Sequence, residues 1–213
     1  ACAVPDVSTK TLASAFSDDV DSPFTKDELV AAAVQTKHYT IDDNDKAAVY
    51  GTVAAINAQQ QLSGPAGKGS PKLPDGALDY AVAELSDAQE AELESAFDVA
   101  SERYVLTLDA MSHLDDVYRV VQGAKPWLLA ALIAAAVCCT AVGFRAGKRG
   151  LARVLIAAGA AVLVAFAVLA AWVAVGFDGF FATFHSLFFA AGTWTFSWDS
   201  LLICMYPPEF WIG

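Results

Sequence analysis

Histidine, methionine and cysteine are scarce in this chain: three, two and four among 213 residues. No pair of cysteines has a C-x-x-C spacing, so neither a zinc ribbon nor a dithiol redox motif is encoded. Cys138 and Cys139 lie inside an apolar run, where they act as small hydrophobes, and the water-facing half holds only Cys2. A Gly-x-Ser-x-Gly elbow, a phosphate-binding glycine loop and a His-Glu-x-x-His zinc motif are all missing. The usual sequence signals of α/β hydrolases, nucleotide enzymes and metalloproteases are thus excluded. Charge is also missing from one half. Residues 127–213 carry three acidic and four basic side chains, whereas residues 1–126 carry 21 acidic and nine basic ones. The two halves are built for different solvents, and the formal net charge of −11 disfavours nucleic acid and anionic headgroups as partners of the acidic half.

What is present is apolar. The chain is 56% hydrophobic with a mean hydropathy of +0.44, which points to membrane spans. Two runs qualify. The first, 127–144, has no charge and follows Pro126, a residue suited to a first helical turn. The second, 151–177, carries only Arg153, near its start, where it can snorkel. Each is long enough for a hydrocarbon core of about 30 Å. Both are rich in alanine, and the second contains Gly159, which permits close helix packing. Between them, Arg145, Lys148 and Arg149 meet no acid, so the positive-inside rule places the loop 145–150 in the cytoplasm. Both flanks then face the extracytoplasmic side and can meet. The expected architecture is an all-α membrane protein of the cell membrane. Residues 1–125 form an acidic, mainly helical extracytoplasmic cap. Residues 126–177 form two transmembrane helices, and 178–213 an aromatic-rich extracytoplasmic segment at the interface.

Within the cap, Thr25-Lys-Asp-Glu28 reads as a capping box opening a helix to about Lys37. A second helix is expected from about Asp43 to Leu62, with Val49, Val53 and Ile56 on one face. Residues 63–76, with four glycines and three prolines, read as a mobile loop. Ser86-Asp-Ala-Gln89 is another capping box. After it, Leu93, Phe97, Ala100, Tyr104, Leu108 and Met111 recur at helical steps, predicting one long amphipathic helix that runs on toward the first span.

Two histidines are placed where chemistry is possible. His185 sits in Phe181–Trp194 among five aromatic residues, just past the second run. A titratable imidazole in such a place is a candidate functional group, although the rings can equally form an interfacial belt. His113 precedes the first run by fourteen residues, on the same expected side, and a bend near Gly123 would bring it to the membrane surface. Asp116, three residues on, shares its helical face and can orient it, or simply form an exposed i,i+3 pair. Two imidazoles can act as base and acid in one proton shuttle. His38 lacks such a position and reads as a helix-end residue. Ser186 and Cys204 are possible nucleophiles without a motif. His113, His185, Asp116 and Glu209 could hold a metal, but nothing in their spacing requires one. Thirteen of the 24 aromatic residues lie between Trp172 and Trp211, a wall suited to an acyl chain or to the interface.

Phe184-His185-x-x-Phe188-Phe189, followed by Trp194, Asp199, Leu202-Ile203 and Pro208-Glu209-x-Trp211, resembles the signature of the lipoprotein intramolecular transacylases. His113-x-x-Asp116-Val117 resembles that family's other histidine motif. Members have four transmembrane helices, so the resemblance implies a first span before Ala1 and a fourth after Gly213. It implies an acyl shift within one diacylated bacterial lipoprotein, from the sn-2 glyceryl ester to the amine of the N-terminal cysteine, giving the lyso-form without a cofactor. His113 and His185 would be catalytic and Asp116, Asp199 and Glu209 supporting. Phe184, Phe188, Phe189, Trp194 and Trp211 would shape the pocket. The competing expectation is a non-catalytic membrane protein whose acidic cap binds a partner.

Overall fold

A computed structural model describes residues 6–16 and 20–212, with the side chain of Ile212 and all of Cys2 outside that set. Among the described residues every regular element is helical: α1 Asp6–Phe16, α2 Lys26–Ile41, α3 Lys46–Ser63, a 3-10 helix Ala77–Ala81, α4 Asp87–Asp98, α5 Leu108–Val175, α6 Phe177–Phe188, α7 Leu201–Met205 and α8 Pro208–Ile212. The chain divides into two compact units. One comprises residues up to Arg119 together with Ala190 onward, the other Val120–Phe189.

The first unit is a helical body whose starts are set by local hydrogen bonds. Thr25 and Glu28 form the expected capping box, as do Ser86 and Gln89. Asp45 caps α3 through the backbone N–H of Ala48. Each cap is worth about 1 kcal/mol. The core joins Leu29 and Ala33 of α2, Val49, Tyr50 and Val53 of α3, and Leu93 and Phe97 of α4, all nearly inaccessible. Gly51 lets the 3-10 helix approach closely, since a Cβ there would stand 2.4 Å from the carbonyl oxygen of Tyr80. The glycine-proline loop expected to be mobile is fastened: Gln61 donates to the Pro71 carbonyl at 3.1 Å, and Ser101 N–H to that of Gly69 at 2.8 Å.

The single long amphipathic helix predicted from Leu93 to Met111 is in fact two helices. Between α4 and α5 the backbone spends its hydrogen bonds on other segments. The buried Asn57 amide donates to the Tyr104 carbonyl at 2.8 Å, and Leu201 N–H to that of Glu102 at 2.7 Å. Thr107 then restarts the helix by accepting from Ala110 N–H. Spacing alone cannot register such a break, because Tyr104, Val105 and Leu106 within it are buried like Phe97 before it and Met111 after it.

The expected aromatic segment 178–213 is divided. Residues from Ala190 onward belong to the first unit. Leu201, Leu202, Cys204 and Met205 are buried in its core, α7 packs against α2, and α8 against α1. The reason is apolar burial: each large aliphatic side chain removed from water contributes about 1.5–3 kcal/mol.

In the second unit, the remainder of α5 consists of two arms, 120–146 and 148–175, with a kink at Gly147. Gly147 has φ 64° and ψ −176°, a conformation open to glycine alone. Pro126 lies inside the helix, not at its start, and no break occurs at Gly123, so the expected boundary at 125/126 falls within continuous helix. The helix is long and apolar enough to cross a membrane, with a mean hydropathy of 2.8 in its most apolar window and none of that window buried. At Gly176 the helix stops, and α6 begins with Trp172 and Phe180 in edge-on contact at 5.4 Å.

Candidate functional site

The site candidates fall in both units. In the second, α6 brings Phe184, His185, Phe188 and Phe189 together as sequence spacing predicts. Residues four apart stack along one helical face. The His185 ring lies 3.8 Å from that of Phe181, 5.8 Å from Phe184 and 5.6 Å from Phe189, centroid to centroid. Phe184 and Phe188 meet at 5.2 Å. Nδ1 of His185 is 2.9 Å from the Phe181 carbonyl oxygen. A carbonyl can only accept, so Nδ1 carries the proton and the neutral ring bears its lone pair on Nε2. Burial among the rings lowers the His185 pKa from 6.5, and the Phe181 carbonyl works in the opposite direction. Burial thus favours the neutral ring, in which Nε2 is the proton acceptor. Ser186, a possible nucleophile by type, donates to the Thr183 carbonyl at 2.8 Å.

In the first unit, His113 is 8% exposed near the start of α5. Its ring meets that of Phe196 at 5.8 Å, tilted by 52°. Asp116 is ion-paired with Arg119, 2.9 Å from Oδ1 to Nη1. Asp199 holds Arg103 at 3.1 Å, and the same guanidinium binds Asp21 at 2.7 Å. Trp194 is half-buried, whereas Glu209 is exposed, as is Trp211, whose indole donates to the Tyr206 carbonyl at 3.3 Å. Cys204 is buried, which pushes its thiol up to about 11 and leaves it a poor nucleophile at neutral pH.

Several residues that support this region carry no sequence signal. Tyr39, 2% exposed, donates to Asp115 at 2.5 Å and so ties α2 to the turn of α5 that holds His113. Burial and the Asp115 carboxylate both push the Tyr39 pKa upward, keeping the phenol protonated as a donor. Phe196 and Arg103 are the others. His38 is more engaged than a plain helix-end residue: it bridges Asp6 at 3.1 Å and Asp42 at 3.0 Å, beside the buried Lys37, which also binds Asp6 at 3.0 Å. That cluster fastens α1 to α2.

No curated protein and no solved structure matches the chain. The family model described as lipoprotein intramolecular transacylase Lit matches residues 68–211. That is more than half of the chain, and it includes both histidines and every other site candidate named from the sequence. The chain therefore belongs to the lipoprotein intramolecular transacylase family.

Proposed function

We propose that this chain moves a fatty acyl group from the sn-2 glyceryl oxygen of a diacylated lipoprotein to the α-amine of the lipoprotein's own N-terminal cysteine. The observation that carries the reading is the family match running across both histidines. The geometry of His185 supports it, because a neutral imidazole with its lone pair on Nε2 can accept the proton that an attacking amine must lose.

The chemistry needs only these parts. The amine nitrogen attacks the ester carbonyl, the carbon–oxygen bond to the glyceryl group breaks, and the glyceryl oxygen leaves with a proton. An amide and a free sn-2 hydroxyl result, with no water consumed. Attack passes through a ring of about eight members, which closes poorly in a flexible lipid, so holding amine and ester together supplies much of the acceleration. His185 and His113 are the proposed proton carriers: one takes the amine proton and the other protonates the leaving glyceryl oxygen. Phe184, Phe188 and Phe189 give the acyl chain an apolar wall beside His185. By the family resemblance, Trp194 and Trp211 are further pocket residues, and Asp116, Asp199 and Glu209 are supporting ones.

A bilayer setting fits the unburied apolar arms of α5. At 1.5 Å per residue, the arms 120–146 and 148–175 each extend about 40 Å, enough to cross a hydrocarbon core. We read residues 120–189 as crossing twice. Two crossings with the basic loop 145–150 in the cytoplasm put the cap and the chain's return outside, as the loop's charge favours.

The test is mass spectrometry of a lipoprotein N-terminus in a host that lacks the activity and expresses this protein. The lyso-form is expected with the wild type and lost with His113→Ala and with His185→Ala, each confirmed in the membrane. An unchanged diacylglyceryl cysteine with wild type expressed would overturn the reading in favour of an acidic cap that binds a partner.

A further inference from the structure

Arg103 lies in the turn between α4 and α5, and its acidic partners come from distant segments. Its guanidinium spans two carboxylates: Nη2 to Asp21 Oδ1 at 2.7 Å with Nη1 to Asp21 Oδ2 at 3.2 Å, and Nη1 to Asp199 Oδ2 at 3.1 Å. The side chain of Arg103 is only 29% exposed, and both partners raise its pKa, so the fork is permanently charged. The neighbouring Glu102 adds two more ties to the same returning segment: its carboxylate accepts from Ser197 Oγ, and its carbonyl from Leu201 N–H at 2.7 Å. Residues 197, 199 and 201 are thus all pinned to residues 102 and 103. Phe196, next to Ser197, lies against the His113 ring at 5.8 Å.

We propose that Arg103 is a positioning residue: by holding Asp199 it fixes the returning segment so that Phe196 packs on His113 and sets the orientation of that imidazole. Its role in the reaction rests on the catalytic reading of His113 above. A planar fork suits this task, since two carboxylates can be gripped at once in a fixed geometry, which a lysine ammonium cannot reproduce. The two partners do different work. Asp21 is 81% exposed and far from His113 in sequence, so it steadies the arginine from the solvent side. Asp199 belongs to the segment that carries Phe196 and transmits the position.

The chain has three histidines, so its side-chain NMR in detergent with 13C-labelled histidine gives a simple spectrum in which each imidazole is assigned by its own substitution. Phe196→Leu removes the ring current acting on His113 and defines the displaced signal. Asp199→Asn and Arg103→Lys are expected to move the His113 signal toward that position, leave the His38 signal in place, and lower kcat about tenfold with KM little changed, as misplacement of a reacting group does. Asp21→Asn, which leaves the Asp199 bond in place, is expected to move the His113 signal and lower kcat less than Asp199→Asn does. Arg103→Lys combined with Phe196→Leu should be no slower than Phe196→Leu alone, since both act through one contact. A wild-type His113 signal in Asp199→Asn, or losses that multiply in the double variant, would overturn the clamp. Signals that move as expected while His113→Ala still transfers acyl groups would show instead that the catalytic assignment of His113 fails, and the clamp's part in the reaction with it.

Discussion

Replacing Leu201 by alanine tests whether the returning segment is part of the first unit's core. Leu201 is 0% exposed in a five-residue helix that no local propensity would hold together, so its burial is what keeps it in place. Truncating a fully buried leucine loses its transfer free energy and leaves a cavity, together about 3 kcal/mol. For a unit of this size that corresponds to a melting temperature lower by about 10 °C. The assay is a thermal ramp of the full-length protein in detergent, with the other three cysteines replaced by alanine, following the reaction of Cys204 with a thiol dye. Cys204 lies in the same helix and is fully covered, so its labelling reports the opening of this core. Leu163, 71% exposed on the second arm of α5, is the control, and Leu163→Ala should shift the transition by no more than a degree or two. A Leu201→Ala shift as small as that of the control would refute the assignment of residues 190–212 to the core.

Other outcomes follow from the same contacts. Tyr39→Phe removes only the hydroxyl that donates to Asp115, and a bond to a charged acceptor from a buried site predicts a loss of about 2 kcal/mol in denaturant unfolding. The Asp6 carboxyl is held below its usual 3.8 by Lys37 and then His38, and the Asp21 carboxyl by Arg103. Depressed folded-state values mean that the stabilisation is fully present above the unfolded value and disappears as pH falls through the folded one. Melting temperature should therefore drop below about pH 4, and the drop should be shallower in Asp6→Asn and Asp21→Asn. Cys204, its thiol pushed up to about 11, should resist alkylation of the native protein at pH 7.5, and Cys204→Ala should keep acyl transfer, with any loss tracking stability alone.

The helical character of the chain, both capping boxes and the aromatic grouping around His185 were legible in the sequence because each depends on residues three or four apart. The features that failed to show are those made by distance along the chain. Arg103 reaches Asp21 across 82 positions and Asp199 across 96, and Tyr39 reaches Asp115 across 76. No local pattern marks such pairs. Leu93 to Met111 read as one helix because apolar spacing persists through the turn, where hydrogen bonds to Asn57, Gly69 and Leu201 displace helical ones. The returning segment read as an interfacial stretch because α7 is too short to display a helical period. Its Leu-Leu-Ile-Cys-Met run is as apolar as a membrane anchor, and only packing against α2 shows that it lies in the first unit's core. Gly147 was visible as one glycine in a basic loop, and its positive φ accounts for the kink there.

The most direct test of intramolecular transfer uses purified full-length protein and a mixture of two synthetic diacylglyceryl-cysteine peptides. One carries an isotope-labelled sn-2 acyl chain, and the other is unlabelled with a different peptide mass. Tandem mass spectrometry should find the amide label only on the peptide that began with it, and no amide in His185→Ala. Label crossing between the two peptides, or an amine that stays free with active, folded protein present, would contradict the account.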